Sequence, residues 1–290
     1  MFILAHLTDP HLAPLPTPRL ADLAGKRMLG YLNWRRSRFR IHRTEQLDDL
    51  VRDLKAQAPD HIAVTGDLVN IALAAEFARA RAWLQALGAP RDVTLVPGNH
   101  DVYVRRVAQS PAAYWADYMR GDDGLDRFPF LRRRGNVALI GLSTALPTAP
   151  LLATGRLGKR QLARLLEILD QTRGSFRIVL IHHPPLTQRY LRRLVDAADL
   201  RGVLADKGAE LLLHGHDHRR AVVWLDGPQK KIPAVGVPSA SAYGKHGDEN
   251  AAGYNLFRID GTLAKWSCEM IARERDADGT MREVERQTLA

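Results

Sequence analysis

Short apolar runs alternate along the chain with longer amphipathic ones. Phe2–Ala5, His61–Thr65, Val93–Val96, Val137–Leu142, Ile178–Ile181 and Leu211–Leu213 are brief and rich in Val, Ile and Leu, the texture of strands buried on both faces. Between several of them, Thr44–Gln57, Ala74–Leu87, Lys159–Thr172 and Leu191–Lys207 read as helices. In the first, Leu47, Leu50, Val51 and Leu54 share one face while Asp48, Asp49, Arg52 and Asp53 take the others. Gly88 and Gly174 predict helix stops, and Gly202 a break in the last helix. After residue 220 the texture changes. AVVWLD, KIPAVGVP, YNLFRID and KWSCEMIAR predict strands separated by Gly, Pro and Asp turns. A βα front half followed by a strand-rich back half predicts one α/β domain over residues 1–265, with two stacked sheets and helices outside. KWSCEMIA and TMREVERQT, around Asp276–Gly279, predict a terminal hairpin or tail over 266–290.

At 290 residues and 46% hydrophobic, the chain is long enough for a substantial core. Its single cysteine, Cys268, excludes an internal disulfide and a thiolate metal cluster, which fits a reducing compartment. No apolar run approaches the ~20 residues that span a bilayer. The opening MFILAHLTD has no basic leader region and reads as a buried strand, so the expectation is a soluble, cytoplasmic protein. A net charge of +10 favours anionic partners: phosphorylated metabolites, a lipid surface or, less strongly, nucleic acid.

The chemistry gathers where strands end. Phe2–Ala5 leads into Asp9 and His11, two positions apart and so aimed one way if the segment stays extended. His61–Thr65 leads into Gly66-Asp67, and Val93–Val96 into Gly98-Asn99-His100-Asp101. Ile178–Ile181 leads into His182-His183, and Leu211–Leu213 into His214-Gly215-His216-Asp217-His218. Sites in α/β sheets form beyond the carboxyl ends of strands. Gly66, Gly98 and Gly215 each precede a candidate ligand, where a missing Cβ permits close approach. Any one of these turns alone would be ordinary; five in succession point to a single polar site.

In their order, DPH, GD, GNHD, HHPP and GHDH resemble the calcineurin-like metallophosphoesterases across about residues 2 to 260. The resemblance implies a four-layer αββα sandwich of two mixed sheets flanked by helices, holding two divalent or mixed-valence metal ions of the Mn, Fe, Zn or Co class. It implies one ion on Asp9, His11, Asp67 and His218, and the other on Asp67, Asn99, His182 and His216. Asp67 would bridge, and His182 is preferred over His183. Two such cations clamp a phosphoryl group and supply hydroxide near neutral pH. His100 fits the acid that protonates the leaving alkoxide, with Asp101 either orienting its ring or capping the segment that follows. Asn70 reads as a supporting or turn residue, and His6 and His214 as core histidines. His42, His61 and His246 carry no supporting pattern, and Tyr243 and His246 sit in a glycine-rich loop.

Motif spelling resembles the bacterial branch that includes cyclic-nucleotide and glycerophosphodiester phosphodiesterases. One stretch lies outside the common pattern. Residues 19–43, RLADLAGKRMLGYLNWRRSRFRIHR, hold eight Lys/Arg against one Asp, with Leu20, Leu23, Met28, Leu29, Leu32, Trp34 and Phe39 interleaved. Gly25 and Gly30 spoil a clean helical period. The expectation is a basic insertion at the mouth of the site: either a solvated excursion, or a lip drawing in an anionic, lipid-bearing substrate and placing the protein at a membrane surface. The latter would suit pyrophosphate cleavage of a lipid-linked nucleotide, as in UDP-2,3-diacylglucosamine hydrolases. A repair-type nuclease and a non-catalytic anion- or membrane-binding scaffold are the other readings. The full ligand set argues against the scaffold.

Overall fold

The computed structural model describes residues 1–245, 247, 249–263 and 265–290. Two six-stranded sheets carry the fold. In the first, β1 (Phe2–Leu7), β2 (His61–Val64) and β3 (Val93–Leu95) run parallel. On the other side of β1 lies an antiparallel run of β10 (Gly253–Thr262), β11 (Lys265–Arg275) and β12 (Met281–Thr288), giving the order β12-β11-β10-β1-β2-β3. The second sheet comprises β4 (Phe130–Arg134), β5 (Val137–Gly141), β6 (Phe176–Leu180), β7 (Leu211–His214), β8 (Ala221–Leu225) and β9 (Ile232–Gly236), in the order β4-β5-β6-β7-β9-β8. The helices are α1 (Lys26–Asn33), α2 (Phe39–Ile41), α3 (Thr44–Ala56), α4 (Ala74–Leu87), α5 (Ser110–Trp115), α6 (Lys159–Gln171) and α7 (Ala197–Lys207).

Strand alternation divides the second sheet's side chains between two cores. Phe176, Ile178 and Leu180 of β6 join the core shared with the first sheet, while Val179, Ile181 and Leu212 pack with Leu162, Leu165, Leu169, Leu200 and Leu204 of α6 and α7. Helices α3 and α4 contribute Leu50, Leu54, Phe77 and Leu84 to the first core. The result is the expected sandwich of two mixed sheets with helices outside. Strands β11 and β12 form a C-terminal hairpin that prolongs the first sheet. Arg273 on β11 makes a paired bond to Asp53 of α3 at 2.7 Å, and the Tyr254 hydroxyl donates to the same carboxylate at 2.5 Å.

Three elements differ from expectation. β4, with the sequence FLRRR, escaped notice because an arginine fills an inward position; the buried Arg132 guanidinium donates to the carbonyls of Pro90, Val93, Asp117 and Arg120. The last helix breaks before Ala197 rather than at Gly202. Gly155 and Leu194 pair as a bridge, and the Asp196 carboxylate accepts the N–H groups of Leu157 and Gly158, holding that stretch out of the helix. A Cβ on Gly202 would meet open space, so helix α7 runs through it.

The basic insertion is the third difference, for it is helical. Helix α1 passes through a π turn (Trp34–Arg38) into α2. A side chain at Gly30 would run into the Tyr103 hydroxyl and the Ile71 side chain, so this glycine lets α1 lie close to the sandwich. Arg27 anchors the same face by donating to the Ile71 carbonyl at 3.0 Å and to Ala72, and Trp34 is buried further along it. Among the described residues, no helix is long and apolar enough to cross a membrane.

Candidate metal centre

Loops from both sheets meet where β1, β2 and β3 of one, and β6 and β7 of the other, end. The β1 and β2 loops are joined through backbone bonds from Asp9 to Gly66, His11 to Asp67 and Leu12 to Leu68, at 2.9, 3.1 and 2.9 Å. The approach is close enough that any side chain at Gly98 would collide with the Asp67 carboxylate, and one at Gly215 with Thr8 and Asp9. The glycines before the candidate ligands are therefore steric requirements.

Asp9 and His11 reach the site, but not along an extended segment. Their φ values are 49° and 35°, with 56° at Asp67, 70° at His216 and 53° at His218. Five of the seven candidate ligands thus occupy the left-handed region, which costs an L-residue about 1–2 kcal/mol. Asp and His are among the side chains that tolerate it best. Such strain persists only where its surroundings fix it, and it gathers at functional sites.

The donors fall into two groups. In one, His218 Nε2 lies 3.2 Å and His11 Nε2 3.7 Å from Asp9 Oδ1. In the other, His182 Nε2 lies 3.3 Å from Asp67 Oδ2, 3.2 Å from Asn99 Oδ1 and 3.2 Å from His216 Nδ1. Asp67 Oδ2 is also 4.0 Å from His11 Nε2, so this carboxylate lies between the groups. His183, by contrast, spends both ring nitrogens on protein, at Thr144 Oγ1 (2.7 Å) and the Ala153 carbonyl (3.1 Å).

Three imidazoles are locked in one tautomer. His182 Nδ1–H donates to the Thr65 carbonyl at 2.6 Å, His11 Nδ1–H to Val69 at 3.2 Å, and His218 Nδ1–H to the Glu249 carboxylate at 3.1 Å. Each therefore turns its Nε2 inward, the arrangement in which an outer acceptor orients a histidine that binds metal once that nitrogen is deprotonated. His11 Nε2 is buried without a hydrogen-bond partner. These residues fit a pair of cations held by oxygen and nitrogen donors. Cys268 stands apart, paired opposite Ile259 in the β10–β11 ladder, its thiol pushed up to about 12 by burial.

Electrostatics agree with that fit. Burial opposes charge on all these groups, yet Asp67 raises His182 to about 10 and Asp9 raises His218 to about 9. Both carboxylates are held below their usual range against burial, Asp9 by His218 and Asp67 by His182 and His100. His11 and His216 are depressed by burial, aided by Arg38 and His183 respectively. Two imidazolium protons thus supply the positive charge that buried carboxylates demand.

His100 also reaches the site, within the reach of His11 and Asp67. Its Nδ1–H donates to the Asn70 carbonyl at 2.5 Å, and its ring stacks on Tyr103 with centroids 5.2 Å apart. Asn70 itself donates to the Leu12 carbonyl at 3.1 Å, tying its loop to that of β1. Asp101 does not orient the His100 ring: its two oxygens accept the backbone N–H groups of Asp67, Leu68, Val69 and Gly98 at 2.8–3.2 Å. Nor does it cap the segment that follows: its oxygens hold residues 67–69 and 98, so that the β2 and β3 loops are pinned together. Burial and the Asp67 charge push its pKa up to about 7 against the pull of those donors.

Several residues at the site gave no motif signal. Half-buried Arg38 donates from Nη1 to His100 Nε2 at 3.2 Å and from Nη2 to His42 Nε2 at 3.4 Å. The His42 ring lies 4.6 Å from that of His11, and its Nδ1 is 2.9 Å from Ser241 Oγ. Lys26 Nζ sits 4.6 Å over the Tyr103 ring and is lowered to about 8 by burial. Arg38 and His42 are four residues apart at the end of a helical run, a spacing that places them on one face. That periodicity was the available signal, and reading Gly30 as a break concealed it. His6 and His61 are core histidines bonded to Thr65 and Thr94 at 2.9 and 2.7 Å. His214 is likewise buried. Tyr243 carries Arg43 over its ring at 4.0 Å, and His246 lies outside the described residues.

A model of the calcineurin-like phosphoesterase family matches residues 2–220. The chain belongs to that family. Among solved structures, a purple acid phosphatase from yellow lupin seeds superposes with a TM-score of 0.63 at 11% identity, covering 99% of this chain and 53% of its own. GAP50, the anchor in the inner membrane complex of Plasmodium, gives 0.53 at 10% identity, covering 99% and 89%. The NAD nucleotidase of Haemophilus influenzae gives 0.50 at 11%, covering 98% and 53%. At these identities the likeness is one of fold. The chain spans about half the length of the lupin phosphatase. No curated protein sequence matches it.

Proposed function

We propose that this member of the family is a binuclear metal-dependent phosphodiesterase, with Asp9, His11, Asp67 and His218 holding one cation and Asp67, Asn99, His182 and His216 the other. The observation that carries this reading is the position of Asp67, 3.3 Å from His182 on one side and 4.0 Å from His11 on the other. Bound there, two divalent cations neutralise phosphoryl charge and lower the pKa of water from ~15.7 towards ~7.

The chain's own residues do the rest. The seven donors fix the geometry through loops bonded to one another. Asn70 holds the His100 ring by its Nδ1–H, and Nε2 accepts from Arg38, with the ring lowered to about 4 by burial and by Arg38. Nε2 would therefore have to take a proton from the attacking water before passing it to the leaving oxygen. Arg38 occupies that Nε2 before substrate arrives; an incoming phosphoryl anion draws the guanidinium onto itself and frees the imidazole.

The diester preference rests on the spelling of GNHD and GHDH. The second reading, cleavage of a lipid-linked nucleotide pyrophosphate, draws on the exposed apolar residues of the insertion. Elemental analysis, with a screen of p-nitrophenyl phosphate, bis-p-nitrophenyl phosphate, cyclic nucleotides, glycerophosphodiesters and UDP-diacylglucosamine, tests both. We expect two metals per chain and turnover of diesters above the monoester. A chain loaded with two metals and inert towards every phosphoryl substrate overturns the proposal.

A further inference from the structure

The insertion turns two different faces to its surroundings. Arg27, Gly30, Trp34 and Arg38 recur every three or four residues and face the sandwich: they reach Ile71, Tyr103, the core and His100. The opposite stripe holds Leu29, Leu32, Arg35, Arg36, Phe39 and Arg40. Its apolar members are 47%, 54% and 44% exposed, and Leu20, just before α1, is 88% exposed. A solvated helix places charged and polar groups outward. This one presents bulky apolar side chains among arginines, and among the described residues Arg35, Arg36 and Arg40 form no ion pair.

The apolar exposure continues across the mouth of the site. Lys26 Nζ bonds Thr148 Oγ1 at 2.7 Å, and the Ala153 amide bonds the Leu191 carbonyl at 2.9 Å, so the insertion, the 148–153 loop and the 190–195 loop adjoin one another. The second and third bring Leu151, Tyr190, Leu191 and Val195 to the surface. Exposed apolar side chains gathered on adjoining elements mark an interaction surface. Beside the insertion, on the side where Phe39, Arg35 and Arg40 emerge, lies an open groove of about 900 Å³ lined also by Leu15, Trp34 and Arg43, with Glu45 its one acid. It also reaches His42, beside the metal centre. Apolar walls with three guanidinium groups against the single carboxylate of Glu45 suit an amphiphilic anion.

We infer that residues 20–41 dock the protein on an anionic lipid bilayer, with the groove receiving the phosphorylated headgroup region of one lipid. Charge selects this occupant. The exposed stripe carries arginines and no acid, the chain's net charge is +10, and arginine with apolar side chains on one surface is the pattern of helices that lie in the headgroup region. That the lipid in the groove is a substrate rests on the phosphodiesterase reading; docking on the bilayer does not.

The test is sedimentation of the metal-loaded protein with vesicles of phosphatidylglycerol and phosphatidylcholine, against phosphatidylcholine alone. The parent should pellet with the anionic vesicles at low ionic strength and be released by high salt. Replacing Arg35, Arg36 and Arg40 together by Ala should lower partitioning by roughly 10²-fold, since each cation near an anionic surface contributes several-fold. Leu29→Ser with Leu32→Ser and Phe39→Ser should lower it by at least about tenfold. Val284→Ser, an exposed apolar site on β12, serves as the control and should bind like the parent. Hydrolysis of bis-p-nitrophenyl phosphate, measured on the same samples, reports the catalytic reading separately. A parent that stays in the supernatant at low salt, or stripe variants that pellet like the parent, overturns the inference. So does a parent that is dimeric and ignores vesicles while the Ser variants are monomeric, because the stripe would then be an interface between copies.

Discussion

Arg38 Nη1 lies 3.2 Å from His100 Nε2, so a residue of the insertion sits on the imidazole of the GNHD turn. Arg38 therefore differs from its neighbours Arg35, Arg36 and Arg40, which face outward. Arg38→Gln should leave metal content unchanged and lower kcat for diesters by about 10²–10³, the effect of removing one charged donor from a developing oxyanion. Arg35→Ala should turn over a small soluble diester like the parent. Steady-state kinetics with elemental analysis checks this, and an Arg38→Gln enzyme at parental kcat refutes it.

Asp67 lies between both donor groups. Asp67→Ala should therefore abolish occupancy of two sites rather than one. Elemental analysis finding two metals per chain in that variant would contradict the bridging assignment.

Metal loading should release protons. With His182 at about 10 and His218 at about 9, both imidazoles are charged at neutral pH, and a cation can bind only their neutral forms. Loading at pH 7 should expel about two protons per chain, and affinity should rise as pH increases towards 9. The same imidazolium–carboxylate pairs stabilise the metal-free fold most fully below the unfolded value near 6.5. That contribution fades as pH climbs through about 9 and 10. Calorimetry in two buffers of different ionisation enthalpy counts the protons; a buffer-independent heat would contradict the assignment.

Asp101 holds four backbone N–H groups. Asp101→Asn leaves one oxygen to accept and turns an NH2 towards donors, so at least one buried N–H loses its partner. Stability should fall by about 2–4 kcal/mol, with metal retention weakened as the β2 and β3 loops part. Chemical denaturation measures this. A variant of parental stability that lost only turnover would return Asp101 to the role of orienting His100.

The sequence made the strand-end donors legible because metal binding restricts residue type: Asp9, Asp67, Asn99, His182, His216 and His218 are chemically marked wherever they stand. Their backbone geometry was not legible, since alternation along an extended strand cannot foresee left-handed turns at Asp9 and His11. Glu249 was hidden for another reason, and so was the partner of Asn70, itself read as a supporting or turn residue. Glu249 orients His218 and Asn70 orients His100 across loop contacts that leave no periodic trace. Gly30 misled most, because a helix glycine ordinarily signals weakness, whereas here the Tyr103 hydroxyl takes the space a side chain would need.

Asp9 has a mechanical consequence. It follows a strand of the first sheet, yet its Oδ2 accepts the His216 N–H at 2.9 Å and its carbonyl the Ser239 hydroxyl at 2.7 Å, both from the second. The centre is therefore a rivet through two plates, and cations held there would resist sliding of one against the other. Chelation should then lower the melting temperature of the whole sandwich, as loss of any ligand that prefers the native state does. The halves would come to share one fate on heating only while the rivet is in place.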